Sequence, residues 1–322
     1  MTILALSPLI QELLYDLGMQ GERNGNGLLV RLLGPVELVS DGTPVRMPQQ
    51  SLRSLLAVLA LSANRVVSSD LLIDALWLEP TSREREQNLH VRVYQLRRLL
   101  SGVEPDRGTS RLVTAAPGYR LELATDQLDV ARFRQLAADG RAATRSGKAP
   151  EAAAILGEAI DLWRGPALAD VVGLSPQLEA AAVELDELRL AVREDWADAA
   201  LSAGYHVELA AELAALAARH PLRERLRWLL MLALYRCGQQ AQALASYRDL
   251  RRVLADEFGI DPGPDLRELH QRILRADPSL LPAGQAPGPL SDPARSPSRS
   301  SPSPSRAAAA AARRPGSRAE GA

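Results

Sequence analysis

The sequence predicts a mainly α-helical protein with two ordered parts, a small α+β part followed by a larger all-α part. Two observations predict this fold class. Ala and Leu are abundant, whereas aromatic residues make up only 4% of the 322 residues, and such a composition favours helix over sheet. Short apolar runs typical of strands occur near residues 28–47 and 111–123, while helical patterns fill most of the chain up to residue 276.

Strands open the first part. Three short apolar runs follow one another from residue 28: LLVRLLG, PVELVS and PVRM. The dipeptide Asp41-Gly42 lies between the last two runs, and Asp-Gly in this setting is a strong hairpin signal. A second pair of strands is predicted over residues 111–123, about a turn at Pro117-Gly118.

Three helices are predicted between the two groups of strands. They cover residues 49–61, 68–78 and 82–100, and either Ser68 or Ser69 is the expected N-cap of the second. Strands, three helices and a closing hairpin follow one another in this order in a winged helix-turn-helix. The third helix has one core-facing stripe, with apolar residues at spacings of four, three and four: Leu89, Val93, Leu96 and Leu100.

The other side of the third helix is polar and cationic. Asn88, Val91 and Gln95 lie away from the apolar stripe, with Arg92 on one flank and further cationic or titratable side chains on the other: His90, Arg97 and Arg98. Arg groups bind phosphates, while Asn, Gln and Val contact base edges in the major groove. A surface helix with a solvated Arg face is the alternative interpretation, and the strand–helix–wing context favours DNA.

Four segments of the first part have a recognisable pattern: LGPVEL, LLIDALW, VYQLRRLL and LVTAAPGYRLEL. On these segments the first part resembles the DNA-binding half of the actinomycete SARP family of pathway-specific antibiotic regulators, and the same half is similar to the winged helix of OmpR/PhoB-type response regulators. It implies that Asn88, Val91 and Gln95 face the bases of double-stranded DNA. It also implies a set of contacts to the DNA backbone: Arg53, His90, Arg92, Tyr94, Arg97, Arg98, Tyr119 and Arg120.

This chain departs from the family pattern at two places. Ala115 occupies a wing position where relatives often have a basic residue, and the lead into the first helix is QQSLR, with Arg53 as its one cation. These departures concern the wing and first-helix contacts with DNA. The basic tail is expected to supply compensating charge.

Residues 125–280 are almost wholly helical in pattern and predict a TPR-like helical-repeat domain. Apolar triplets recur at spacings of four and three, and two of them lie 34 residues apart, the tetratricopeptide period: Ala152/Leu156/Ala159, Leu209/Leu213/Leu216 and Ala243/Tyr247/Leu250. Helix breaks are predicted at Arg164-Gly165-Pro166, Ser175-Pro176, Gly204, Pro221, Gly238 and Asp261-Pro262-Gly263-Pro264. Paired helices are expected to stack as one unit, with Trp163, Trp196 and Trp228 packed between them.

This second part resembles the bacterial transcriptional activation domain that follows the winged helix in the same regulators. The matching segments are DVARFRQLAADGRAA, LWRGPALADV and residues 220–274. The resemblance implies an activator of a secondary-metabolite (antibiotic) gene cluster that binds promoter direct repeats near the −35 element as a homodimer and recruits RNA polymerase holoenzyme. Two alternatives stay open: a ligand-responsive regulator with a pocket in the helical domain, and a helical-repeat adaptor that does not bind DNA.

The net charge of −1 conceals unlike segments. Residues 1–27, an N-terminal extension, carry −2; residues 28–124, the winged helix, carry +2; residues 125–280 carry −5; and residues 281–322 carry +4. The last segment is rich in Pro, Ser, Ala and Arg, so a disordered tail is expected there. This asymmetry makes nucleic acid a plausible partner despite the neutral total.

Several classes of function are not supported by any sequence pattern. Cys237 is the single cysteine, the four histidines are scattered, and neither a phosphate-binding loop nor a nucleophile elbow occurs, so no enzyme, cofactor or metal site is expected. No run of 18 apolar residues is present, so a membrane span is not expected either. The expected location is the cytoplasm, associated with the nucleoid.

Overall fold

The computed structural model describes residues 27–76, 83–103, 110–173 and 175–281, with side chains from residue 86 onward in the second range. The predicted N-terminal extension, apart from Gly27, and the predicted tail, apart from Leu281, lie outside these residues. Among the described helices, none combines the length and apolar character needed to cross a membrane.

Two small antiparallel sheets frame the first part. The first sheet has the order β1-β2-β3, and its strands are β1 (Leu28–Arg31), β2 (Glu37–Ser40) and β3 (Thr43–Val45). Asp41 and Gly42 connect β2 to β3, and both have positive φ angles of 46° and 79°. The predicted hairpin is therefore present, and its turn uses the two residue types that tolerate this backbone region best.

The second sheet contains one strand that the sequence did not predict. Its order is β4-β6-β5, with β4 (Val66–Ser68), β5 (Leu112–Ala115) and β6 (Gly118–Leu121). The three helices of this part are α1 (Gln50–Leu61), α2 (Ser69–Leu76) and α3 (Arg83–Val103). Ser68 caps α2, since its Oγ accepts a hydrogen bond from the Leu71 amide at 3.2 Å.

Gly118 allows the wing to pair closely with β4. It lies opposite Ser68 in the register, and a Cβ at this position would be 1.9 Å from the carbonyl oxygen of Val67. Only glycine fits at this separation, because the obstructing atoms belong to the backbone of β4 rather than to a flexible side chain.

Seven α-helices lie among the described residues of the second part, and all but one of the breaks between them were predicted. They are α4 (Asp129–Arg145), α5 (Ala149–Asp161), α6 (Pro176–Ala203), α7 (His206–Arg219), α8 (Glu224–Arg236), α9 (Gln240–Phe258) and α10 (Pro264–Leu274). The Ser175 hydroxyl accepts a hydrogen bond from the Leu178 amide and so caps α6, whereas Gly204, with a φ of 103°, ends it. The break between α4 and α5, at Gly147, was not predicted.

Apolar triplets and tryptophans form the core of the helical part as expected. All nine residues of the three predicted triplets are buried. Trp196 is 2% exposed, and the Trp163 ring packs edge-on against Phe133 with their centroids 5.4 Å apart. Trp228 is partly buried against the same core. The packing role predicted for these tryptophans is confirmed.

A dense set of hydrogen bonds joins the two parts. The carboxylate of Asp129, at the start of α4, accepts the Leu32 amide at 2.8 Å with each oxygen and the Leu33 amide at 2.9 Å. The loop after α5 runs beside the β1–β2 connection, where the Arg164 amide donates to the Leu33 carbonyl at 2.8 Å. The sequence predicted only a helix break at Arg164 and gave no sign of this junction.

Side-chain ion pairs extend the junction. Arg164 Nη1 lies 3.0 Å from Glu37 Oε2, and Asp170 Oδ2 lies 2.5 Å from Arg53 Nε on α1. Asp170 Oδ1 also accepts the Val36 amide at 2.8 Å. Because backbone and side-chain bonds act together here, the winged helix is fastened to the helical part.

Candidate nucleic-acid interface

The position of α3 is fixed by its buried stripe. Leu89, Val93, Leu96 and Leu100 are each no more than 2% exposed and pack into the core with α1 and α2. This is the stripe that the spacing predicted. Since one side of the helix is fully committed to the core, the opposite side is presented outward.

The outward side of α3 carries five of the eleven residues predicted to meet DNA. Tyr94 and Val91 are 66% and 51% exposed, which is high for large apolar side chains. Asn88, His90 and Arg98 are exposed as well. The structure thus brings these five residues together on one helix surface, with a polar, cationic and partly apolar character.

Gln95 and Arg92 are held by a small polar cluster at the edge of this surface. Arg92 Nη1 donates to Gln95 Oε1 at 2.9 Å and also to Gln49 Oε1, in the residue just before α1. Both residues are half-buried. The cluster orients the Gln95 amide, whose NH₂ group has no partner among the described residues. The sequence did not predict a role for Gln49 at this surface. It lies more than 30 residues before α3, and no sequence pattern connects the two.

Arg97 binds the wing, a contact within the protein that the sequence did not predict. Its Nε donates to the Leu112 carbonyl at 2.9 Å and its Nη2 to Thr114 Oγ1 at 2.7 Å, both on β5. Its guanidinium also lies 5.8 Å from the centroid of the Tyr119 ring. Arg97 therefore ties α3 to the wing.

Tyr119 and Arg53 are likewise placed differently from the prediction. Tyr119 is 5% exposed, because the alternation along β6 puts it on the core side with Leu121. Arg53 is ion-paired with Asp170 and donates to the Met47 carbonyl at 2.6 Å, so it serves the junction. Arg120, on the outer side of β6, lies 3.1 Å from Glu122 Oε1 and stays partly exposed.

Two family models match this arrangement of domains. The model described as "Transcriptional regulatory protein, C terminal" matches residues 42–121, and the model described as "Bacterial transcriptional activator domain" matches residues 128–274. The regulatory protein DnrI of Streptomyces peucetius is 36% identical over 259 residues, which cover 78% of this chain and 93% of DnrI. The chain belongs to the SARP family of transcriptional regulators. The family predicted from the sequence is confirmed.

Two other relatives of this SARP-family chain are longer proteins. The regulatory protein AfsR of Streptomyces coelicolor is 44% identical over 260 residues, but the match spans 80% of this chain and 25% of AfsR. A solved structure, "Mycobacterium tuberculosis EmbR in complex with low affinity phosphopeptide", has a TM-score of 0.74 and 38% identity, covering 78% of this chain and 66% of EmbR. This likeness confirms the predicted fold class, a mainly α protein in which a winged helix precedes a helical domain.

Proposed function

We propose that this SARP-family chain is a sequence-specific DNA-binding activator of transcription that acts on a secondary-metabolite (antibiotic) gene cluster. The observation that carries the proposal is the outward surface of α3, where Asn88, Val91, Tyr94 and Arg98 are exposed on a helix whose other side is locked into the core. A helix with this presentation fits the major groove.

The proposed contacts with DNA are divided by chemistry. Asn88, Val91 and Gln95 contact base edges, since amide groups pair with adenine and Val contacts the thymine methyl. His90, Arg92, Tyr94, Arg98 and Arg120 contact the backbone, where they set the position of the helix. Three residues are not assigned to DNA: Arg53 is paired with Asp170 in the junction, Arg97 holds β5 through two of its nitrogens, and Tyr119 is only 5% exposed.

The finer parts of the proposal concern partners. Two protomers occupy direct repeats near the −35 element, and the helical domain recruits RNA polymerase holoenzyme. The junction at Asp129 and Arg164 supports this division of labour, because its hydrogen bonds fasten the winged helix that carries α3 to the helical domain. The proposal assigns no reaction to the chain and places it with the nucleoid in the cytoplasm.

A selection from random-sequence duplexes tests DNA binding and requires no operator to be chosen in advance. The intact protein, at physiological salt, is expected to enrich one motif that recurs as a direct repeat. A template carrying that motif upstream of a −35 element is then transcribed by an actinomycete RNA polymerase holoenzyme. More run-off transcript is expected with the protein than without it.

Two outcomes of these experiments would contradict the proposal. Bound pools without any enriched motif would show that α3 does not select sequence. An enriched motif with no change in transcript would contradict activation while leaving sequence-specific binding in place. Asp256→Ala, at an exposed position on α9 far from α3 in the chain, is a surface control and is expected to behave as the wild type in both experiments.

A further inference from the structure

A groove of about 550 Å³ lies in the winged helix, between the β2–β3 hairpin, the start of α1 and the C-terminal half of α3. Apolar side chains form much of its lining: Val45, Leu52, Leu99 and Val103. This volume lies within the range of roughly 300–1,000 Å³ that is usual for small-molecule sites.

Two arginines at this groove have no counter-charge among the described residues. Arg46, just after β3, and Arg98, on α3, both line the groove and are exposed. Neither forms an ion pair or hydrogen bond with any described residue, and none of the described residues that line the groove is acidic. An apolar lining with two unpaired guanidinium groups is complementary to an organic anion with an apolar body.

A groove in the helical domain gives a useful contrast. It has a volume of about 470 Å³ and lies where α4, α6 and α8 meet. Two of its three arginines are paired with one carboxylate, since Asp195 accepts from Arg141 Nε at 2.6 Å and from Arg225 Nη2 at 2.8 Å. This groove in the helical domain, where the alternative of a ligand-responsive regulator would place its pocket, is therefore less suited to an anion than the groove in the winged helix.

The winged-helix groove also reaches the surface of α3 that faces DNA in the proposed function. Gln49 and Gln95 both line it, and Arg92 donates a hydrogen bond to each of them. Arg98 belongs to the groove and to the outward surface at once. An anion bound beside Arg98 and Gln95 lowers the positive charge available to phosphates and crowds the Gln95 amide.

We propose that this groove binds an amphipathic organic anion, with an apolar body along Leu52, Leu99 and Val103 and its charged group at Arg46 and Arg98, and that occupancy weakens DNA binding. The binding half of this inference stands without the proposed function. The regulatory half rests on the proposed DNA binding.

Decanoate is the probe for binding, and decanol is its uncharged match. In calorimetric titration of the intact protein without DNA, decanoate is expected to bind saturably, one molecule per chain, and decanol at least tenfold more weakly. The double variant Arg46→Gln/Arg98→Gln is expected to bind decanoate at least tenfold more weakly. Leu99→Gln tests the apolar part of the site and is expected to weaken both ligands. Arg267→Gln, an exposed arginine on α10, is the matched control and is expected to change neither affinity.

The regulatory half is measured on the duplex enriched in the selection. Saturating decanoate is expected to raise the dissociation constant of the wild type for this duplex at least fivefold, and decanol to leave it unchanged. No saturable decanoate binding, or equal binding of decanoate by the wild type and the double arginine variant, would overturn the inference. Decanoate binding with unchanged DNA affinity would overturn its regulatory half. The binding result does not depend on whether the selection itself succeeds, because the first titration contains no DNA.

Discussion

Asp129 accepts the backbone amide of Leu32 with both carboxylate oxygens at 2.8 Å, although 97 positions separate the two residues in the chain. The same carboxylate accepts the Leu33 amide at 2.9 Å. These bonds satisfy amides that follow β1 and would otherwise be buried without an acceptor. The first helix of the helical domain is thereby fastened to the first sheet of the winged helix.

Burial makes this junction sensitive to pH. Desolvation raises the pKa of Asp129 from 3.8 to about 6, although the Leu33 and Leu32 amides and Arg164 act in the opposite direction. Between pH 4 and 6 the folded protein therefore holds a proton that the unfolded chain has released. The free energy of unfolding is expected to fall by about 3 kcal/mol from this residue as pH rises through that window, and to level off above it.

Urea denaturation at several pH values measures this contribution. Other groups titrate in the same range, so the difference between variants is the informative quantity. Asp129→Asn is expected to flatten the curve between pH 4 and 6 by about 3 kcal/mol. Asp126→Asn, three positions earlier and exposed, is expected to keep the wild-type slope. Parallel curves for wild type and Asp129→Asn would contradict the assignment.

The ion pair between Arg53 and Asp170 predicts energetic coupling across the junction. Both side chains are less than a third exposed and lie 2.5 Å apart. A double-mutant cycle with Arg53→Gln and Asp170→Asn is expected to give a coupling energy of about 1 kcal/mol in urea denaturation. The exposed pair Asp249 and Arg252, 3.7 Å apart within α9, serves as control and is expected to give a coupling near zero. Equal coupling in the two pairs would show that Arg53 does not serve the junction.

The junction shows what sequence patterns leave out. Asp129 in DVARF looks like an ordinary acidic residue in the first turn of a helix, where it favours the helix dipole. Its actual partners are the backbone amides of Leu32 and Leu33. Every residue except proline has a backbone amide, so the sequence does not mark these two as partners. The helices themselves were predictable, because Pro176, Gly204 and Pro264 mark their ends and apolar spacing marks their buried sides.

Because the wing approaches β4 closely, substitution of one glycine is expected to destabilise the protein strongly. Gly118→Ala places a methyl group 1.9 Å from the Val67 carbonyl oxygen, so the paired strands must separate. The free energy of unfolding is expected to fall by about 2–3 kcal/mol. Gly102→Ala, in α3 with open space around it, is expected to be neutral or to stabilise by about 1 kcal/mol or less. Similar effects at the two positions would argue against the β4–β6 pairing.

Arg97 and Arg98 are adjacent in sequence but are expected to act differently on DNA. Arg98 is exposed and unpaired among the described residues. Arg98→Ala is therefore expected to reduce the salt slope, which is the slope of log K for DNA binding against log [salt], by about 1 in magnitude. Arg97 is held by Leu112 and Thr114, so Arg97→Ala is expected to leave that slope unchanged. Instead it lowers the free energy of unfolding by about 1–2 kcal/mol. A smaller salt slope for Arg97→Ala than for the wild type would show that Arg97 does contact a phosphate.

Arg97 and Arg98 also show what helical periodicity cannot predict about the site. Spacing identified the buried stripe of α3 and the exposure of Asn88 and Val91. It did not distinguish Arg97 from Arg98, because the partners of Arg97 lie on a strand that follows in the chain. The three-residue strand β4 was also missed, since VVS directly precedes the cap of α2.

Sequence selection by α3 is the central claim, and one ratio tests it most directly. Fluorescence anisotropy gives the dissociation constants for the selected duplex and for a scrambled duplex of equal length and charge. The ratio is the dissociation constant for the scrambled duplex divided by that for the selected duplex. In the double variant Asn88→Ala/Val91→Ala this ratio is expected to fall at least tenfold toward one. The affinity for the scrambled duplex is expected to change less than twofold. An unchanged ratio, with both affinities equal to those of the wild type, would contradict the claim that this surface of α3 contacts base edges.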